Sequence, residues 1–238
     1  VLGMSSWIAY DALAWNNFSG MVARFRSRFC DRLIALEQGF DGVDALLAEH
    51  DIAFLHCLRQ ETVSPCRSRL PHVRVLLHYV FDGSDGNVGS SAADVRFARI
   101  SSVVPGASPV VPHIVQPIIQ SNDHAPDLRS ELGISADATV FGRHGAYETF
   151  DIGFVREAVV EIAASSPSIY FVFMHTAPFV QRPNVLHINR SCDPDRKAAF
   201  IRTCDAMIHG RSNGETFGLA VAEFSAANKP VITSAAHH

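Results

Sequence analysis

The run CDAMIHGRSNGETFGLAVAEFSAANKPVITS, Cys204 to Ser234, decides the fold. It reads as strand, loop, helix, strand. Asp205 to His209 is a short apolar strand, and Gly210 to Gly214 is a polar loop bounded by glycines. Leu219 to Ala227 is a helix of small residues. Pro230 to Thr233 is a second strand with proline at its entrance, where a missing N–H is tolerated. Glu215 stands before the helix and Glu223 inside it. The amides of Phe217, Gly218 and Leu219 open the helix, and such a start suits a phosphate or a sugar oxygen. Gly218 lets a ligand approach the backbone closely. Helical side chains lean toward the N-terminus, so Glu223 is expected to aim at the helix mouth while Glu215 reaches it from the loop. A carboxylate accepts well from two neighbouring hydroxyls. Two of them beside a phosphate-friendly helix end point to a sugar nucleotide as ligand.

Working outward from that run, strands alternate with helices from Ala138 on, which predicts a parallel, Rossmann-like sheet. Ala138 to Gly142, Ile169 to Met174 and Val185 to Ile188 read as strands. A helix capped by Asp151 is expected to run to Ala164 with Val155, Val159 and Ile162 inward, and another from Asp195 to Thr203. Arg143-His144-Gly145 is read as a tight loop after the first of these strands. Cys192-Asp193-Pro194-Asp195 contains a D-x-D, read as helix caps.

The pattern Glu215-Thr216-Phe217-Gly218-Leu219, with Glu223 after seven intervening residues and then Asn228-Lys229-Pro230-Val231-Ile232-Thr233, resembles a known motif. It is the donor-binding motif of the GT-B glycosyltransferases, especially the retaining group called family 4. The resemblance covers residues 138–234. It implies an α/β chain of GT-B type, with two Rossmann-like domains and parallel sheets. It also implies transfer of a hexose from a nucleoside diphosphate sugar, with retention and without a metal. Glu215 and the amides from Thr216 to Leu219 would contact the hexose, and Glu223 the ribose hydroxyls. Gly142-Arg143 matches the family's G-R, where arginine binds the diphosphate, helped by a lysine a few residues on. The physics fits, because a fixed guanidinium stabilises charge on a departing diphosphate. That lysine is absent from His144-Gly145-Ala146-Tyr147-Glu148-Thr149; Arg211 and His144 are the candidate replacements. The family also often places a histidine of its N-terminal domain near the hexose, which singles out His78. The implied catalytic set is Arg143, Glu215 and His78. The implied donor contacts are Gly142, Arg143, Arg211, Glu215, Thr216, Phe217, Gly218, Leu219 and Glu223. Three other readings stay open: a sugar-nucleotide epimerase on the same fold, a non-catalytic nucleotide-sugar-binding module, and a structural interaction protein that binds no nucleotide.

Composition narrows the class. The 238 residues are 47% hydrophobic and 18% charged, with a formal net charge of -4, as expected of a soluble globular chain. The slightly acidic balance offers no general field for nucleic acid. No apolar run reaches the roughly 18 residues of a membrane span. The five cysteines, Cys30, Cys57, Cys66, Cys192 and Cys204, are odd in number and form no C-x-x-C. Free thiols in a reducing cytoplasm account for them. The start lacks the basic region and apolar core of a signal peptide. No H-E-x-x-H, G-x-G-x-x-G or G-x-S-x-G occurs, so no metal, nicotinamide or hydrolase elbow is expected. The expected partners are the nucleotide-sugar donor and an acceptor (glycan, lipid or protein) that the residues do not identify. No further cofactor is expected.

The N-terminal part, residues 1–115, is assigned to the acceptor side and residues 116–238 to the donor. Tyr10 to Leu36 reads as helical, with Phe25, Phe29, Leu33 and Leu36 on one face and Arg24, Arg28 and Arg32 on another. Asp44 to Glu49 is a second helix. Ile52 to Leu58 and Val73 to Phe81 read as buried strands, the latter ending at Asp82 and a loop of turn formers through Asn87. Ala98 to Val104 is a further strand. Pro105 to Pro126 carries five prolines and is read as the interdomain connection, followed by a short helix from Asp127 to Leu132. The chain is shorter than such enzymes usually are and stops after the strand that follows the motif, so a compact or truncated form is expected.

Overall fold

All the strand pairings between named strands are parallel. The computed structural model describes residues 5–14, 17–59, 68–81, 95–115 and 126–234. The loop from Asp82 to Asn87, Cys66, and residues 116–125 of the proline-rich stretch lie outside the described residues. The chain divides into two compact units, Val1–His113 and Ile114–His238.

In the first unit, β1 (Ile8–Asp11) pairs with β2 (Leu33–Leu36), and α1 (Ser19–Phe29) connects them. A separate sheet has the order β3 (Phe54–Arg59), β4 (Arg74–Tyr79), β5 (Val95–Arg99), and α2 (Val43–Glu49) precedes it. Three expectations are corrected here. The long N-terminal helix stops at Phe29, because Cys30 takes a positive φ of 49° and breaks it, and Leu33–Leu36 is a strand. The strand expected from Ala98 ends at Arg99 and starts earlier, at Val95. The strand from Phe54 is not buried throughout, since Phe54 is 57% and Leu58 61% exposed while Cys57, facing the other way, is buried.

In the second unit a five-stranded sheet has the order β10 (Val231–Ile232), β9 (Ala206–Ile208), β6 (Thr139–His144), β7 (Ile169–Met174), β8 (Val185–Ile188). The helices α3 (Gly153–Ser165), α4 (Pro194–Thr203) and α5 (Leu219–Ala226) alternate with these strands. Side chains alternate along a strand, so each buried strand feeds two apolar layers. One layer joins Phe150, Val159, Phe171 and Phe173; the other joins Val140, Val172, Phe200, Met207 and Phe224. Burying each such phenylalanine stabilises the unit by about 1.5–3 kcal/mol. Gly142 is dictated by this packing: a Cβ there would stand 2.1 Å from Cys204 Sγ. The glycine lets β6 lie directly against the end of α4. Residues 128–132 form turns rather than the expected helix, and Leu128 N instead donates to Thr203 Oγ1 at 2.7 Å. Ile162 is 40% exposed, so the inward face of α3 is Val159 and Ala163. No helix among the described residues is long and apolar enough to cross a membrane.

Candidate functional site

Arg143 lies in β6 itself, not in a loop after it, next to the strand's last residue, His144. It is only 3% exposed. Its Nη1 donates to Thr176 Oγ1 at 2.5 Å, and its Nη2 donates to Thr149 Oγ1 at 2.6 Å and to the Ala146 carbonyl at 3.2 Å. The guanidinium sits 5.7 Å above the Phe150 ring. The segment after β7 holds these partners in place: His175 Nδ1 lies 3.0 Å from the Gly145 carbonyl, and Ala177 N donates to Tyr147 O at 2.8 Å. Among the described residues Arg143 makes no ion pair with a carboxylate. Burial pushes its guanidinium down to about 10 against the pull of the Glu215 charge, so it remains a cation at neutral pH.

The loop between β9 and α5 brings in a second group. Glu215 Oε1 lies 3.1 Å from His209 Nε2, and its Oε2 accepts from Arg211 Nη1 at 2.9 Å. His209 Nδ1 in turn lies 3.1 Å from Thr233 Oγ1. Burial works to raise the Glu215 carboxyl, but the His209 bond and the charges of Arg211 and Arg143 outweigh it and hold it below the usual carboxylate range. Asp151 does not cap α3, whose cap is Ile152 without a side-chain bond. Its carboxylate accepts instead from Ser212 N at 2.7 Å and Ser212 Oγ at 2.5 Å, fastening the loop. Gly218 then turns the chain into α5 with φ +74°. A side chain there would be strained and would press on Glu215 Cβ, 3.3 Å from where its own Cβ would stand. The helix begins at Leu219, two residues past Phe217, and its first bond runs from Ala222 N to Gly218 O at 2.9 Å. Leu219, at its tip, is 42% exposed.

Glu223 belongs to a different network. It is 5% exposed, and its Oε1 is bonded by Lys197 Nζ from α4. Its Oε2 lies 3.1 Å from His144 Nε2, close enough for charge attraction but off the line of a hydrogen bond. Burial opposes ionisation of Glu223, yet His144 and Lys197 together hold its carboxyl below the usual range. The His144 ring stacks on Phe224 at 5.9 Å and meets Phe200 edge-on at 6.0 Å. The two acids of the motif, Glu215 before α5 and Glu223 inside it, thus have separate partners. A hollow of about 550 Å³ opens beyond the carboxyl end of β8, lined by His187, Asn189, Arg190, Asp193 and Arg196. It lies at the start of α4. Asp193 caps α4 there, accepting from Asp195 N at 3.0 Å.

His78 belongs to the first unit, next to the last residue of β4. It is 3% exposed, and its Nδ1 lies 3.3 Å from His56 Nε2 on the neighbouring strand. Its Nε2 has no hydrogen-bond partner among the described residues. Sequence reasoning did not reach Lys197, His209, Thr176 or Thr149. Lys197 and Thr176 are brought in by packing from distant positions, whereas Thr149 and His209 stand only six residues from Arg143 and Glu215, and no local motif announces any of them.

No family model matches this chain, and no curated protein matches it. Among solved structures it is similar to the crystal structure of HepE from Anabaena in complex with UDP and glucose. That match has a TM-score of 0.57 and 14% identity, covering 90% of this chain and 70% of the other. HepE in complex with UDP-glucose matches with a TM-score of 0.56 and 13% identity, covering 95% of this chain and 80% of the other. TarM matches with a TM-score of 0.48 and 9% identity, covering 89% of this chain and 43% of the other. The fold is that of the GT-B glycosyltransferases.

Proposed function

We propose that the chain is a glycosyltransferase that moves a hexose from a nucleoside diphosphate sugar to an acceptor, with retention and without a metal. The observation that carries this reading is Arg143: a buried, well-oriented guanidinium at the carboxyl end of the central strand, ion-paired to no carboxylate among the described residues. In open parallel sheets ligands bind beyond the carboxyl ends of the strands. A buried cation held this way is built to meet an anion, and its fork suits phosphate oxygens. The crystallisation of HepE, which shares the fold, with UDP-glucose supports the same ligand class.

On this reading the donor runs along the strand ends. The nucleoside occupies the hollow beside β8, and the ribose hydroxyls donate to Glu223, next to Lys197 of α4. The diphosphate meets Arg143 and the start of α5, where the dipole favours negative charge. Glu215 accepts from hexose hydroxyls. As the sugar–phosphate bond breaks, Arg143 stabilises the departing charge, and its threonine contacts keep it in place so that little reorganisation is needed. The acceptor enters from the face the diphosphate leaves.

A thermal-shift panel of UDP-, GDP-, ADP- and dTDP-sugars on the purified chain tests this. A ligand that binds only the folded state raises the melting point. The reading expects one base class to do so, and expects the released nucleoside diphosphate to appear with acceptor present. A panel with no stabilising member would defeat it. Stabilisation with neither hydrolysis nor transfer would reduce it to a donor-binding module.

A further inference from the structure

A diphosphate carries more charge than one arginine neutralises, and the segment after Arg143 holds no lysine. His144, beside Arg143, and Arg211, in the loop before α5, are the two candidates for a second cation weighed from the sequence. The fold separates them. Adjacent strand residues project to opposite faces, so His144 points away from the Arg143 guanidinium. Its ring packs on Phe200 and Phe224 and faces Glu223. Arg211 leaves its loop between Gly210 and Ser212, and both are fastened to residues 150–151. Asp151 N donates to Gly210 O at 2.9 Å, and the Asp151 carboxylate takes both Ser212 donors. Gly210 lies so close to Phe150 that a Cβ would stand 2.8 Å from its ring, and that same ring carries Arg143. Arg211 therefore shares a platform with Arg143, and the charges of Arg211 and Glu215 both act on Arg143.

Arg211 is already engaged by Glu215, at 2.9 Å, while His209 meets the other Glu215 oxygen at 3.1 Å. Resting on the donor-site reading above, we propose that Arg211 is this chain's second diphosphate-binding cation and that Glu215 holds it until hexose hydroxyls take its place. A nucleoside diphosphate without sugar must break the Arg211–Glu215 pair and leaves Glu215 without that donor. A nucleotide sugar breaks the same pair and satisfies both partners, the phosphates taking Arg211 and the hydroxyls taking Glu215. Sugar binding and diphosphate binding are thereby linked through one ion pair, and the linkage is reciprocal.

The test uses titration calorimetry with UDP and UDP-glucose, or the corresponding pair for whichever base the thermal panel selects. Arg211→Met is expected to weaken the diphosphate by roughly tenfold to a hundredfold, the range of a charge-assisted hydrogen bond. Glu215→Gln is expected to act in opposite directions, tightening the free diphosphate severalfold while weakening the nucleotide sugar at least tenfold. In the double variant Arg211→Met/Glu215→Gln the gain for the free diphosphate should vanish. Circular dichroism of each variant confirms the fold. A gain that persists without Arg211 would show only general charge removal and overturn the proposal, as would an Arg211→Met variant with unchanged diphosphate affinity. Failure of the wild-type chain to bind any nucleotide would instead bring down the donor-site reading itself, and the proposal with it.

Discussion

Gly142→Ala isolates what the first residue of the Gly142-Arg143 pair does. The added methyl would stand 2.1 Å from Cys204 Sγ, 3.1 Å from Cys204 Cβ and 3.2 Å from Phe200 Cζ. Cys204 and Phe200 are both fully buried, so neither can swing into solvent. Overpacking a core by one carbon typically destabilises by about 1–3 kcal/mol, and a 2.1 Å approach places this site at or above the upper end. At about 2–4 °C per kcal/mol for a chain of this size, the melting point should fall by roughly 6–12 °C. Cys204→Ala removes the nearest atom, so the double variant Gly142→Ala/Cys204→Ala should recover much of the loss even though Cys204→Ala alone is destabilising. The assay is urea denaturation followed by circular dichroism on all four members of the cycle, with an expected coupling of about 2 kcal/mol. A loss below 1 kcal/mol for Gly142→Ala, or no coupling to Cys204, would refute the view that this glycine exists for helix–strand contact.

The remaining predictions concern the site. Glu223→Ala should weaken nucleotide and nucleotide sugar alike, whereas Glu215→Ala should blunt discrimination between sugars; calorimetry with two hexoses on the same nucleotide separates the two effects. Asp151→Ala removes both Ser212 bonds and should weaken donor binding about tenfold while lowering the melting point only slightly, because it frees the loop rather than the core. Glu215 and Glu223 are both held below the usual carboxylate range. Their pairing therefore contributes stability above the unfolded titration near pH 4.3, and that stability is lost as pH falls through the lower folded values. Urea midpoints measured from pH 7 to pH 3 should decline at the acid end, and Glu223→Gln should flatten the decline.

How much of this could be read from residues alone follows from where each contact originates. The alternation from Ala138 onward is local, and β6 to β10 stand close to the expected positions because each strand is a short apolar run beside a helix signal. The mistaken N-terminal helix came from Phe25, Phe29, Leu33 and Leu36, whose spacing mimics a helical face across the break at Cys30. Asp151 carries an ordinary capping signal, yet the β9–α5 loop captures its carboxylate through Ser212, 61 positions away. Arg143 was legible as a motif member. Its burial and its hold by Thr176 were not, since Thr176 lies beyond a strand that only the sheet places beside β6. Lys197 likewise meets Glu223 only because α4 and α5 pack together over the same strand face.

The most direct measurement is calorimetric titration of the selected nucleotide sugar into wild-type protein and into Arg143→Met and Arg143→Lys. The account predicts saturable binding in the wild type and a loss of about a hundredfold or more in Arg143→Met. Arg143→Lys should recover only part, because an ammonium keeps the charge but not the fork. Equal affinity in all three folded proteins would contradict it.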